Sequence, residues 1–237
     1  MLEVITGCMY SGKSEELIRR LRRCQIAGQG VIAFKSALDD RYSDDIATHP
    51  TEGVSDTLKA QTVYCVREFM KRLGLEADPA SLDGGLPYGK HLRYESVPVS
   101  MRESDGSLRP AGFEKKRIPL PDVVGFDEVQ FMDWQIVPVL EALANQGVRV
   151  IVAGLDLDAD GKNFGPIGSL LARADKVTKL TAVCVAHDPE ADRPCGKPAT
   201  RSYRVTQEEF VEQVKVGSFG VYEARCRVCW ARGKADE

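Results

Sequence analysis

No segment of this 237-residue chain stays apolar over the ~18 residues that a membrane-crossing helix needs. Positive charge is not in excess either: Lys and Arg number 32 against 35 Asp and Glu, giving a net charge of −3 and a pI near 5.8. That balance speaks against a broad nucleic-acid-binding face, which needs clustered Lys and Arg. There is no internal repeat. The first residues, MLEVI, read as a strand rather than a basic segment leading into an apolar run, so no cleaved signal and a cytoplasmic location are expected. The seven cysteines are odd in number and scattered. In a reducing compartment, close pairs among them favour metal binding or catalysis over disulfides. Cys24 and Cys65 stand in apolar or helical contexts and are expected to be small buried side chains.

What is present is 43% hydrophobic and 28% charged residues, the composition of a globular domain. LEVIT reads as a strand, EELIRRLRRCQIAG as an amphipathic helix and VIAFK as the next strand. On that helix Leu17, Ile18, Leu21 and Cys24 share a face. The arginines at 19, 20, 22 and 23 fill the remainder as a solvated face, with Glu15 and Glu16 as partners one turn away. A strand-to-helix segment follows at AQTVYCVREFMKRLG. Residues 74–119 lose periodicity and read as an insertion of loops or a hairpin, LRYESVPVSMRE being its most strand-like part. Strand PDVVGFDE, helix QIVPVLEALANQG, strand RVIVAG, helix IGSLLARAD and strand KVTKLTAVC complete the alternation. The expected fold is α/β, a mostly parallel sheet flanked by helices, and the Gly-bounded turn GCMYSGKS at 7–14, between first strand and helix, makes it P-loop NTPase type. Residues 1–175 would form this ATP-binding domain, and residues 176–237, where the pair Cys226-x-x-Cys229 lies, a small zinc-ribbon-like domain.

Gly7-Cys8-Met9-Tyr10-Ser11-Gly12-Lys13-Ser14 fits G-x-x-x-x-G-K-[ST], with a strand before it and a helix after. Its glycines let backbone N–H groups face phosphate oxygens, and the helix N-terminus adds partial positive charge. Lys13 would neutralise the β- and γ-phosphates of ATP and Ser14 would ligate Mg²⁺. Cys8 needs no role beyond filling the loop. The second half of such a site is an apolar strand ending in acid beside the loop. Val123–Glu128 supplies it, with Asp127 toward Mg²⁺ and Glu128 near the γ-phosphate as a base.

These motifs, with Glu16-Leu17-Ile18-Arg19-Arg20, Asp39-Asp40-Arg41-Tyr42, Asp127-Glu128-Val129-Gln130-Phe131 and a cysteine-bearing tail, resemble the zinc-containing (type II) thymidine kinases. The resemblance covers nearly the whole chain except residues 74–119 and 186–194. It implies transfer of the ATP γ-phosphate to the 5′-hydroxyl of thymidine or deoxyuridine, with Glu128 as the base. It implies that Asp39 and Arg41 lie near the phosphates, Arg41 stabilising the transferring group. Gln130, Phe131 and Phe164 would line the nucleoside site. Val216, Gly217, Ser218, Phe219, Gly220 and Tyr222 would belong to a lasso loop closing over it. By resemblance alone, a homotetramer and inhibition by thymidine triphosphate are expected. The chain departs from the family pattern at Glu15, where threonine is usual, and at Met132, Ala159, Gly161 and Asn163 beside the pocket.

Cys226-Arg227-Val228-Cys229 is a C-x-x-C, and a second half-site upstream favours tetrahedral zinc. Cys184 opens that half-site, and two residues can complete it. Cys184-x-x-His187 keeps the usual spacing. Cys195 requires an inserted loop but is followed by Gly196, suited to a knuckle turn, and keeps the family's nine-residue step to Arg204. The preferred set is Cys184, Cys195, Cys226 and Cys229, with His187 as the alternative to Cys195. Such zinc is structural, since four protein ligands leave no open position. The rival reading is a P-loop ATPase whose zinc ribbon grips nucleic acid through Arg225, Arg227, Arg232 and Lys234.

Overall fold

The computed structural model describes residues 1–38, 45–47, 56–75, 93–102, 107–188, 191–205 and 220–235. The chain opens with β1 (Leu2–Thr6), α1 (Lys13–Ile26) and β2 (Val31–Ser36). Short strands β3 (Ile46–Ala47) and β4 (Thr57–Leu58) pair with each other. β5 (Gln61–Val63) leads into α2 (Val66–Leu73). Then come β6 (Arg93–Arg102), β7 (Leu108–Ile118), β8 (Val123–Asp127), α3 (Ile136–Asn145), β9 (Arg149–Gly154), α4 (Ile167–Arg173) and β10 (Lys176–Lys179).

Six of these strands form one sheet in the order β10-β1-β9-β8-β2-β5, every pairing parallel. Parallel neighbours need crossover helices on both faces, which is why the strands read as near-continuous apolar runs. One face carries Val4, Phe34, Val124, Phe126, Val150 and Val152 against α2, α3 and α4. The other carries Ile5, Ala33, Val123, Ile151 and Ala153 against Leu17, Ile18, Leu21 and Cys24 of α1. Gly125 lets α1 close on β8, since a Cβ there would stand 2.5 Å from Leu21 Cδ1. Pro138 sits in the first turn of α3, where its missing N–H leaves no helical bond unmade.

Several sequence expectations change. β9 lies between β1 and β8, so the strand bearing Asp127 is one place removed from the strand leading to the phosphate loop. The arginines of α1 are not one solvated face. Arg20 is buried, donates to Glu3 Oε2 at 2.6 Å, and reaches Thr178 Oγ1 at 2.9 Å, while Arg149 takes the other Glu3 oxygen at 2.7 Å. Two guanidiniums around one buried carboxylate satisfy a charge that burial alone would penalise. Cys65, expected inside, is exposed at the start of α2, while Cys24 is buried as expected.

The aperiodic insertion contains a long antiparallel hairpin, β6 against β7, in a two-stranded sheet of its own, with a register shift at Val99/Ser100 opposite Gly112. KVTKLTAVC is two strands, not one. β10 stays in the main sheet, Leu180 N–H bonds to Thr6 O at 2.7 Å, and the chain then turns into β11 (Ala182–Val183). The remaining strands are β12 (His187–Asp188), β13 (Arg193–Pro194), β14 (Pro198–Ala199), β15 (Arg201–Arg204) and β16 (Tyr222–Arg225), followed by α5 (Arg227–Ala235). They form small antiparallel pairs: β11 with β14, β12 with β13, and β15 with β16. No described helix is long and apolar enough to cross a membrane.

Candidate functional site

The loop between β1 and α1 has the backbone that its glycines allow. Gly7 has φ +151 and Gly12 φ +79, and a Cβ on Gly7 would meet Leu180 O at 2.5 Å. Tyr10 takes φ +63 without a glycine's freedom, a strained conformation of the kind that tight binding loops hold. The buried Lys13 folds back over the loop, its Nζ donating to Cys8 O at 2.9 Å. Ser11 Oγ is buried and has no hydrogen-bond partner among the described residues, as suits a hydroxyl facing a ligand oxygen.

Asp127 ends β8 and Glu128 follows it in the left-handed region at φ +53. Both are buried. Asp127 Oδ1 accepts the Glu128 N–H at 3.0 Å, fixing the turn. Gln130, almost fully buried, donates from Nε2 to Glu128 Oε2 and accepts the Leu155 N–H at 3.1 Å. Phe131 and Phe164 meet edge to face, 5.4 Å between centroids at 89°. Gly165, beside Phe164, has φ +51 and lies so close to Gln130 that a Cβ would stand 2.1 Å from its carbonyl oxygen. Strand β8, the short 3₁₀ turn Val129–Phe131 and the loop after β9 thus bring Asp127, Glu128, Gln130, Phe131 and Phe164 together.

The C-terminal strands cover the phosphate loop. Met9 N–H donates to Ser202 Oγ at 3.1 Å, Cys8 Sγ lies 3.3 Å from Ala199 O, and Tyr10 Oη donates to Tyr222 O at 3.4 Å. Burial pushes the Cys8 thiol up, so this thiol stays protonated as a packing group. Gly220, φ +92, leads into β16. Tyr222 contacts Tyr10 through its carbonyl, and its ring lies 5.9 Å from the Arg204 guanidinium. Asp39, Arg41, Val216, Gly217, Ser218 and Phe219 lie outside the described residues.

The sulfurs of Cys184, Cys195, Cys226 and Cys229 all lie within 4.8 Å of one another. Tetrahedral Zn–S bonds of ~2.3 Å put sulfurs roughly 3.8 Å apart, so these donors fit zinc after a small contraction. His187 is not among them. It sits on the exposed β12, its Nε2 3.7 Å from Asp192. Within the insertion between Cys184 and Cys195, β12 pairs antiparallel with β13. Below it the knuckle closes through Cys195 N–H to Ala186 O at 2.8 Å and Gly196 N–H to Cys184 O at 3.0 Å, with Gly196 at φ +70. At Cys226 burial opposes ionisation, but the Cys229 N–H and the neighbouring thiols outweigh it and bring that thiol down to about 7. Cys229 is pushed up to about 12 by burial and by the same neighbours. A metal bound there would displace the thiol protons of the set.

A profile of the family described as thymidine kinase matches residues 1–74 and 113–230, leaving out most of the inserted segment. This chain belongs to the thymidine kinase family. It is 36% identical over 233 residues to a thymidine kinase of Haloquadratum walsbyi, covering 96% of this chain and 93% of that protein. It is 40% identical over 232 residues to a thymidine kinase of Deinococcus deserti, covering 96% and 92% respectively. Membership makes it a nucleoside kinase that uses ATP. Sequence reasoning missed several residues that build its site. Ser202, an ordinary strand serine, gives no local signal that it meets Met9. Trp230 bonds to both Ala159 O and Ser202 O at 3.2 Å, tying α5 to the loop after β9. Asp156, buried and ion-paired to Lys179 at 2.6 Å, was legible in kind, as an acid following a buried strand.

Proposed function

We propose that this chain transfers the γ-phosphate of ATP to the 5′-hydroxyl of thymidine or deoxyuridine, with Glu128 as the base. The observation that carries the residue roles is the buried Glu128, held by Gln130 beside the Phe131–Phe164 pair. The new bond forms between the 5′-oxygen and the γ-phosphorus while the bond to the β–γ bridging oxygen breaks. The hydroxyl proton passes to the Glu128 carboxylate, and ADP leaves. Lys13 exchanges its bond to Cys8 O for the β- and γ-phosphates. Ser14 and Asp127 are hard oxygen donors suited to Mg²⁺, which when bound neutralises charge on the phosphates. Asp39 and Arg41 are assigned to the phosphate end. Phe131 and Phe164 pack on the base. Gln130 orients Glu128 and borders the nucleoside, and residues 216–222 close over it.

The four cysteines would hold a structural zinc that fastens both ends of β15, β16 and the segment between them. Residues 1–175 would form the ATP-binding body and residues 176–237 the small cysteine-bearing module, whose first strand, β10, pairs with β1 in the main sheet. A homotetramer, feedback by thymidine triphosphate and a cytoplasmic setting complete the reading. The nucleic-acid alternative is not favoured: in the basic tail Arg225 pairs with Glu223 at 3.0 Å and Lys234 with Asp160 at 3.2 Å. Incubation with thymidine, ATP and Mg²⁺ should yield thymidine monophosphate and ADP. ATP hydrolysis stimulated by DNA, with no thymidine monophosphate, would overturn the reading.

A further inference from the structure

A cleft of about 410 Å³ lies between the phosphate loop and the cysteine module. Tyr10, Gly12 and Glu15 form one wall, and Thr181, Val183 and Pro198 the other. Its position follows from strand order. β1 has β10 on one side, with β9 and then β8 on the other, so Glu128 lies to one side of the loop and the segment after β10 to the opposite side. A triphosphate seated on the loop with its γ end toward Glu128 directs its α-phosphate and nucleoside toward the cleft.

Glu15 is the one acid in that lining. It is exposed, and its carboxylate folds over Gly12, with Oε2 2.6 Å from where a Gly12 Cβ would stand. Among the described residues it makes no hydrogen bond or ion pair, whereas its neighbour Glu16 is engaged by Arg19 and Arg20. A carboxylate at the mouth of a phosphate loop repels phosphate, which has no proton to give it. It is satisfied by hydroxyl donors just beyond the phosphates, and two vicinal hydroxyls can donate to one carboxylate together. Tyr10 and Val183, 37% and 62% exposed, offer the apolar surface that a base needs on either side.

We propose that this cleft takes the nucleoside of the phosphate donor, and that Glu15 accepts hydrogen bonds from its 2′- and 3′-hydroxyls. The donor is thereby read as a ribonucleotide, while the acceptor is a deoxynucleoside. This rests on the ATP-dependent kinase reading above, and a binding experiment separates the two. The full chain, loaded with zinc and Mg²⁺, is titrated calorimetrically with ATP, 2′,3′-dideoxy-ATP and inorganic tripolyphosphate. The unchanged protein should bind ATP about tenfold more tightly than the dideoxy analogue, the scale of a charge-assisted hydrogen bond. Glu15→Ala should weaken ATP about tenfold, level that ratio, and leave tripolyphosphate binding equal or tighter. Val183→Glu should weaken ATP binding and spare tripolyphosphate. An unaltered ATP-to-dideoxy ratio in Glu15→Ala overturns the proposal, as does parallel loss of tripolyphosphate binding in both variants. Absence of thymidine monophosphate with the expected binding pattern would instead sink the activity reading and leave the cleft assignment standing.

Discussion

Gln130 grips Glu128 from a fixed orientation. Its Oε1 must face the Leu155 N–H, 3.1 Å away, because only an acceptor suits that donor, so its Nε2 is turned toward the Glu128 carboxylate. Replacement by leucine keeps the volume and deletes both bonds. Gln130→Leu is expected to lower kcat about 10- to 100-fold through misorientation of Glu128, with ATP affinity unchanged. Glu128→Gln should lower kcat by about 10²–10⁴-fold and also leave ATP binding intact. Steady-state kinetics paired with ATP calorimetry would check both, and full turnover by Glu128→Gln would remove the base assignment.

Gly165 is the second restraint on the same residue. A methyl group there collides with Gln130 O and demands φ +51 of an alanine. Gly165→Ala should destabilise the fold by about 2 kcal/mol or more, combining left-handed strain with a backbone clash. It should also raise the thymidine KM, because Phe164 adjoins it. Denaturant unfolding and KM measurements test this, and a neutral effect on both would mean the loop relaxes freely.

The cysteine cluster separates two ligand sets by content analysis. Cys195→Ser should lose most of the bound zinc, while His187→Ala, altering an exposed strand outside the cluster, should retain about one equivalent per chain. The opposite pattern would assign the histidine. Should zinc fill the cluster, its chelation would lower the melting temperature, since Cys8, Cys184, Ala186, Ala199, Ala224 and Cys226 pack together around the four sulfurs.

Acid sensitivity has a local source in α1. Hydrogen bonds from Arg19 and Arg20 hold the Glu16 carboxyl down at about 2, from an ordinary 4.5, despite the opposing effect of burial. A depressed native value means that the contribution is present above pH 4.5 and is lost as pH falls from 4.5 toward 2. Glu16→Gln should therefore cost on the order of 1 kcal/mol at neutral pH, and the gap to the unchanged protein should close across that acid window. Denaturant melts at pH 7 and pH 3 would show it; a gap independent of pH would point to packing instead.

The elements legible beforehand were those encoded within a few residues. The apolar runs of β1, β8 and β9, the loop Gly7–Ser14 and the C-x-x-C of Cys226 and Cys229 each carry their own signal, and each formed as read. Partners distant in sequence were not legible. Nothing in RRLRR distinguishes Arg20 from its neighbours; Glu3 and Thr178, brought beside it by the sheet, do so. The insertion of β9 between β1 and β8 is likewise a property of chain order in space, not of any one strand's composition. Cys65 was misread because a helical apolar context does not say which side of the helix start faces water.

The strand bearing the phosphate loop has a further consequence for how the molecule is assembled. Thr6 bonds to Gly154 across 148 positions, and Met9 to Ser202 across 193. The loop is synthesised well before β9 and β15, yet it cannot take its final shape until those strands have come back to flank it. Such distant closures slow folding. A nascent chain halted before β15 would therefore carry the whole phosphate-binding sequence and its β9 neighbour, yet lack the Ser202 contact that completes the loop's geometry.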